Sequence, residues 1–220
     1  MYQTILFDLD GTLTDSGQGI LNSIRYALTK LGHPIPNDEL LKTFIGPPLK
    51  ISFEQTLGMS LAESQAGINF YREYFREKGI FENQIYPGVP ELLRSLKEQN
   101  KQLLVATSKP EMFARQILEH FKLSDFFDYI AGASMDSSRS KKSDIIAYAL
   151  DNISSTSLSA AMMVGDRKYD ILGAKENHIA SAGVLYGYGS FEELQAAGAD
   201  YLAKNTQDLK RIVLETSKNN

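Results

Sequence analysis

The chain has 220 residues, of which 43% are hydrophobic and 23% charged, with a formal net charge of −4 and no cysteine. That is the make-up of one large globular domain, or of a domain carrying an insert; it excludes disulfides, thiolate nucleophiles and cysteine zinc sites, and it offers no basic run to track a nucleic-acid polymer. No apolar stretch approaches the about 18 residues a membrane span needs, and no basic, then apolar leader opens the chain, so a cytoplasmic protein with neither membrane nor nucleic-acid partners is expected.

The first predicted element is an apolar strand over Gln3–Phe7, followed by Asp8-Leu9-Asp10-Gly11-Thr12. Residues two apart in a strand share a side, so the two carboxylates lean toward one spot. Two unit charges about 4 Å apart at an effective dielectric near 20 repel by roughly 4 kcal/mol. A held proton, a cation or divergence into water must relieve that repulsion.

The stretch 16–85 then holds no convincing strand. Ile20, Ile24, Ala27, Leu28 and Leu31 recur at helical spacing. A second helix is expected from near Asn37, after Pro36, to a stop at Gly46-Pro47-Pro48. A third runs from Leu49 to Leu57, and the longest from Ser60 to Lys78, ended by Gly79. These make an all-helical insert over 16–85, flanked by an α/β core over 1–15 and 86–220.

From Tyr86-Pro87-Gly88 onward, helical patterns at Pro90–Gln99, Glu111–Phe121, Asp144–Asp151, Tyr169–Asn177 and Phe191–Ala197 alternate with strands at Gln102–Thr107, Tyr129–Ala133, Ala160–Gly165 and Ile179–Tyr186. These strands are apolar nearly throughout, as when helices cover both faces of a parallel sheet. The alternation predicts a doubly wound α/β fold. Ser217–Asn220 are expected to fray.

In an open α/β sheet, ligands bind beyond the carboxyl ends of the strands, and the polar residues of this chain gather there. Besides Asp8 and Asp10 they are Thr107, Ser108 and Lys109 after the second core strand, Asp166 and Asp170 after the strand ending at Gly165, and Lys141-Lys142 before the helix from Asp144. Several carboxylates in one crevice demand a cation, and hard oxygen ligands without His or Cys suit Mg²⁺. A hydroxyl and an ammonium nearby would supply donors to a phosphate. One aspartate could then attack phosphorus while its neighbour moves a proton, and phosphoryl transfer asks the protein mainly for positioning and electrostatic stabilisation.

Other readings of these residues do worse. A calcium-binding EF-hand loop starting at Asp8 needs glycine where Leu13 stands and an acidic residue where Gly19 stands. His33, His120 and His178 have no metal-binding spacing and read as surface or boundary residues. Gly187-Tyr188-Gly189-Ser190 reads as a loop before a helix.

In order and spacing, FDLDGT (7–12), VATS (105–108), the lysine at 141–142 and VGDRKYD (164–170) resemble the four motifs of the haloacid dehalogenase (HAD) superfamily of phosphohydrolases, over nearly the whole chain. The insert is similar to the small helical cap of the subgroup that includes phosphoglycolate phosphatase-like enzymes and some 5′-nucleotidases. The resemblance implies a Rossmann-like HAD core. It also implies a Mg²⁺-dependent phosphatase hydrolysing a small phosphorylated metabolite through an aspartyl-phosphate, phosphoglycolate phosphatase-like, with 5′-nucleotidase or pyrophosphatase specificity as the alternative. A phosphosugar mutase of the same fold is the enzymatic rival; a receiver-like signalling module is disfavoured by Asp10 and by the insert.

By the same resemblance Asp8 is the nucleophile and Asp10 the general acid and base. Asp8, the Asp10 backbone carbonyl and Asp166 bind Mg²⁺, with Asp170 in support. Thr107 and a lysine hold the phosphoryl oxygens, and backbone N–H groups near Leu9 and Ser108 assist. Lys142 is preferred over Lys141, because Ser143 could then cap the helix from Asp144 with the lysine just outside it. The cap is expected to close over the substrate, with residues around Ile45–Lys50 setting specificity.

Overall fold

The computed structural model describes residues 1–136, 138–153 and 157–216. The expectation for Ser217–Asn220 therefore lies outside the described residues. The chain divides into two compact units, Met1–Thr14 with Ile85–Asn220, and Asp15–Gln84.

Eight strand segments are numbered through the chain among the described residues: β1 (Thr4–Phe7), β2 (Thr14–Asp15), β3 (Gln84–Ile85), β4 (Gln102–Pro110), β5 (Tyr129–Ala133), β6 (Ala161–Gly165), β7 (Ala180–Val184) and β8 (Tyr201–Ala203). Six of them form one sheet in the order β5-β4-β1-β6-β7-β8 among the described residues, with every pair parallel. β1 lies inside this sheet, with Phe7 opposite Val105 on one side and Val164 on the other. Its four residues are all buried, as are the five of β6. A strand covered on both faces must be apolar throughout, which is why these segments do not alternate.

The flanking helices are α5 (Val89–Glu98), α6 (Glu111–His120), α7 (Lys142–Asp151), α8 (Lys168–Glu176), α9 (Phe191–Ala197) and α10 (Thr206–Glu215), numbered after four helices of the second unit. One layer of core joins Leu6, Leu104, Ala131 and Met163 of the sheet to Ile145, Ile146 and Ala149 of α7 and to Ala174 of α8. Sequence reasoning overlooks β8 and α10. The first is three residues long; the second is capped by Asn205, which accepts from the N–H groups of Gln207 and Asp208, and buries Leu209, Ile212 and Val213.

The second unit contains α1 (Gly17–Leu31), α2 (Asp38–Lys42), α3 (Leu49–Ile51) and α4 (Leu61–Tyr74). Gly32 ends α1 in a left-handed conformation, φ +71°. Asn37 caps α2 by accepting from the Leu40 N–H at 2.9 Å, but that helix stops at Lys42 rather than running on to Gly46. α3 and α4 each continue into a wider π-helical turn, Ser52–Thr56 and Phe75–Gly79. Ser60 and Glu63 form a reciprocal capping box at the start of α4. α1 comes close to the end of the second π turn, where a Cβ on Gly19 would fall on the Gly79 carbonyl. The expectation of a strand-free 16–85 fails at its end, where Gln84–Ile85 pairs with Thr14–Asp15 in a separate two-stranded ladder.

Candidate active site

Asp8 follows the last residue of β1, and its N–H donates to Val164 O at 2.9 Å, extending the β1–β6 ladder by one rung. Asp166 follows β6 in the same way. The two backbones that hold these carboxylates are thus neighbours in the sheet, and their side chains come together without any long loop. Asp170 joins them from the first turn of α8, where its Oδ2 accepts from the Arg167 N–H at 3.0 Å. An acidic residue in that turn also suits the helix dipole. One carboxylate oxygen from each of Asp8, Asp166 and Asp170 lies within 4.8 Å of the other two, and all three residues are buried.

Lys142 is the cation of this cluster. Its Nζ lies 2.9 Å from Asp8 Oδ1 and 2.8 Å from Asp170 Oδ1, and donates to the Ala106 carbonyl at 3.1 Å. Lys141 is exposed and lies outside the cluster. The expected capping arrangement does not form: the cap position of α7 is Lys141, Lys142 is the first helical residue and Ser143 is inside. An ammonium at a helix N-terminus opposes the dipole. Asp8 and Asp170 offset this, and they hold the Lys142 side chain back along the helix toward the strand ends.

The electrostatics follow from burial and from a surplus of negative charge. Burial, then the charges of Asp170 and Asp8, push Asp166 well above the usual carboxylate range, against the Tyr188 N–H that donates to it. Burial pushes Asp170 up to about 6; Lys142 opposes this and Asp8 adds to it. Burial alone would lower the Lys142 pKa, but Asp170 and Asp8 outweigh it and raise the group above its ordinary value. Three clustered carboxylates, two of them paired with the Lys142 ammonium and none accompanied by a His or Cys donor, are a donor set for a hard divalent cation. The cluster can hold a metal ion.

Asp10 stands apart from these three. Its Oδ2 pairs with Lys109 Nζ at 2.9 Å, while its Oδ1 is buried with no hydrogen-bond partner among the described residues. Thr107 is buried, and its Oγ1 accepts from the Lys109 N–H at 3.3 Å; Ser108 beside it is half-buried. The Leu9 N–H, expected to serve the substrate, donates to Asp8 Oδ1 at 2.7 Å.

Three contributors escape sequence reasoning. Thr12 lies within reach of Asp166 Oδ1, at 3.4 Å. The Tyr188 N–H donates to Asp166 Oδ2 at 2.8 Å, and the Tyr186 hydroxyl donates to Thr12 O at 3.1 Å. Gly187 and Gly189, read as plain loop, are packed so closely that a Cβ on either would collide with Asp166. A glycine on each side of an aromatic residue was the available signal, and it does not say which carboxylate the loop approaches.

The model of the haloacid dehalogenase-like hydrolase family matches residues 5–184. The chain belongs to that family. The 5′-nucleotidase of Pseudomonas aeruginosa is 43% identical over 214 residues, 96% of either chain. The tyrosine-protein kinase PtkA of Mycobacterium tuberculosis is 42% identical over 188 residues, 85% of this chain and 63% of its own length. Among solved structures, a predicted phosphatase from Clostridium acetobutylicum superposes with a TM-score of 0.93 at 46% identity, over 98% of this chain and 100% of that one. The six-stranded parallel sheet with its flanking helices is the Rossmann-like core of a HAD protein, and the enzyme class is that of a phosphoric monoester hydrolase.

Proposed function

We propose that this HAD hydrolase is a Mg²⁺-dependent phosphatase of small-molecule phosphomonoesters that works through an aspartyl-phosphate on Asp8. The observation that carries this reading is the convergence of Asp8, Asp166, Asp170 and Lys142 at the ends of two adjacent strands. Both anchors on Asp8, the Leu9 N–H and the Lys142 ammonium, fall on Oδ1. Oδ2 is then the oxygen that attacks phosphorus, held in line by its partner.

Asp8, Asp166 and the Asp10 backbone carbonyl would hold the Mg²⁺, with Asp170 in support. When bound, the ion supplies positive charge to the phosphoryl oxygens and offsets the carboxylates. Lys142 and Thr107 bind the transferring phosphoryl group from the strand-end side. Asp10 gives a proton to the leaving oxygen as the ester P–O bond breaks, and accepts one from the water that then attacks the aspartyl-phosphate.

A nucleoside 5′-monophosphate is the leading substrate, since a relative that this chain matches almost end to end is named a 5′-nucleotidase; phosphoglycolate is the alternative. The test measures phosphate release from nucleoside 5′-monophosphates, phosphoglycolate, sugar phosphates and pyrophosphate, with and without Mg²⁺. Metal-dependent turnover led by the nucleotides is expected, together with a covalent phosphoryl adduct on Asp8 after rapid quenching. Full activity in purified Asp8→Asn would refute the covalent mechanism, and a preference for phosphoglycolate would refute the nucleotide specificity alone.

A further inference from the structure

β4 carries an irregularity next to the site. Thr107 pairs with Gly132 of β5, yet the next pair is Pro110 with Ala133, so Ser108 and Lys109 are extra residues on one strand against a single step on the other. A β-bulge of this kind re-aims the side chains it carries and is common beside active sites. Gly132 leaves room for it: a Cβ there would stand 2.7 Å from the Lys109 carbonyl oxygen and 2.6 Å from Glu111 Cα. The bulge delivers the Lys109 ammonium to Asp10 Oδ2 at 2.9 Å, with the lysine side chain 5% and the aspartate side chain 14% exposed.

Stability gives a weak reason for such a pair. Removing an ammonium and a carboxylate from water is costly, and apolar replacements of buried ion pairs are often neutral or stabilising. Its geometry has a clearer consequence. A carboxylate free to turn about its terminal torsion has two equivalent oxygens; here Oδ2 is fixed by Lys109, and Oδ1 is left buried and without a hydrogen-bond partner among the described residues.

We infer that Lys109 is a positioning residue for proton transfer: it clamps Asp10 through Oδ2 so that Oδ1 faces the leaving oxygen of the substrate. This rests on the acid role proposed for Asp10. In the step concerned, a bond forms between Asp8 Oδ2 and phosphorus as the bond from phosphorus to the leaving oxygen breaks. The proton on Asp10 Oδ1 passes to that oxygen, giving the free alcohol and an Asp10 carboxylate. Lys109 keeps its own proton throughout.

Leaving-group dependence separates this role from a structural one. kcat/KM is measured for p-nitrophenyl phosphate, phenyl phosphate and a nucleoside 5′-monophosphate in wild type, Lys109→Met, Lys109→Arg and Asp10→Asn, with thermal unfolding as a check on folding. A good leaving group needs little protonation, so Lys109→Met should lose roughly 10²-fold on the nucleotide and only a few-fold on p-nitrophenyl phosphate. Asp10→Asn should show the same gradient more steeply, and Lys109→Arg should recover part of the loss. An equal loss on all three substrates, or none, in Lys109→Met while Asp10→Asn remains graded would overturn the inference and leave the acid role standing. A flat profile in Asp10→Asn would overturn both.

Discussion

Lys142 has two carboxylates and a carbonyl within 3.1 Å in a buried site. Removing one member of such a group leaves uncompensated charge, which typically costs about 3–5 kcal/mol. Lys142→Met is therefore expected to lower the melting temperature of the metal-free protein by roughly 6–20 °C, taking about 2–4 °C per kcal/mol for a chain of this size. Added Mg²⁺ should recover part of that loss, because a divalent ion supplies the missing positive charge; differential scanning calorimetry with and without the metal reads both effects. At this scale the sequence was informative about identity and silent about pairing. Asp8, Asp10 and Asp166 stand just beyond strand ends that apolar runs make visible, and Asp170 follows in the first turn of the next helix. That Lys109 meets Asp10 depends on a bulge, which no residue pattern in LLVATSKP announces.

At the scale of the element, close approach replaces charge as the controlling factor. Gly165 ends β6 with the Asp170 carboxylate packed where its Cβ would be. Gly165→Ala must push Asp170 aside, and overpacking of this kind costs typically about 1–3 kcal/mol. Both a lower melting temperature and a reduced stabilisation by Mg²⁺ are expected, and an unchanged metal response would show that Asp170 is not needed to hold the ion. A helix cap in the second unit gives the contrasting case. Asn37→Ala removes the acceptor for the Leu40 N–H and should cost about 1 kcal/mol, read by chemical denaturation, with no change in metal response.

The same contrast explains which elements could be read in advance. β1, β4 and β6 are apolar runs bounded by polar clusters, and α1 repeats its apolar residues every three or four positions. β8 has three residues, two of them only half-buried, which is too little pattern to register. α10 carries a legible signal in its Asn cap and its spacing of Leu209, Ile212 and Val213. Ser143 has the residue type of a cap, but α7 starts at Lys142, two residues before the expected Asp144, where Lys142 makes its tertiary contacts.

For the whole molecule, the acid cluster ties stability to pH and to metal. Burial pushes the Asp170 carboxyl up to about 6 in the folded chain, against about 3.9 when unfolded. The folded state therefore binds its proton more tightly, and between about pH 4 and 6 this group removes stability as pH rises, on the order of 2–3 kcal/mol when complete. Under the proposed Mg²⁺ site, protons and the ion would compete for the same oxygens. The rise in melting temperature produced by saturating Mg²⁺ should accordingly be larger at about pH 7 than at about pH 5, and a rise that is flat or falls with pH would argue against metal binding at this cluster.

The place of β1 in the sheet also governs when the enzyme can exist at all. The first strand of the chain is hydrogen-bonded on both sides, by β4 and by β6, and Thr12 meets Asp166 across 154 residues of sequence. At about 5–20 residues per second, a ribosome that has finished the Asp8 strand needs a further 8–30 s or so to deliver its second neighbour. Through that interval Asp8 exists without the carboxylates of Asp166 and Asp170 that complete its cluster. Nascent and prematurely ended chains then carry no working phosphatase, and activity starts only once most of the protein has been made.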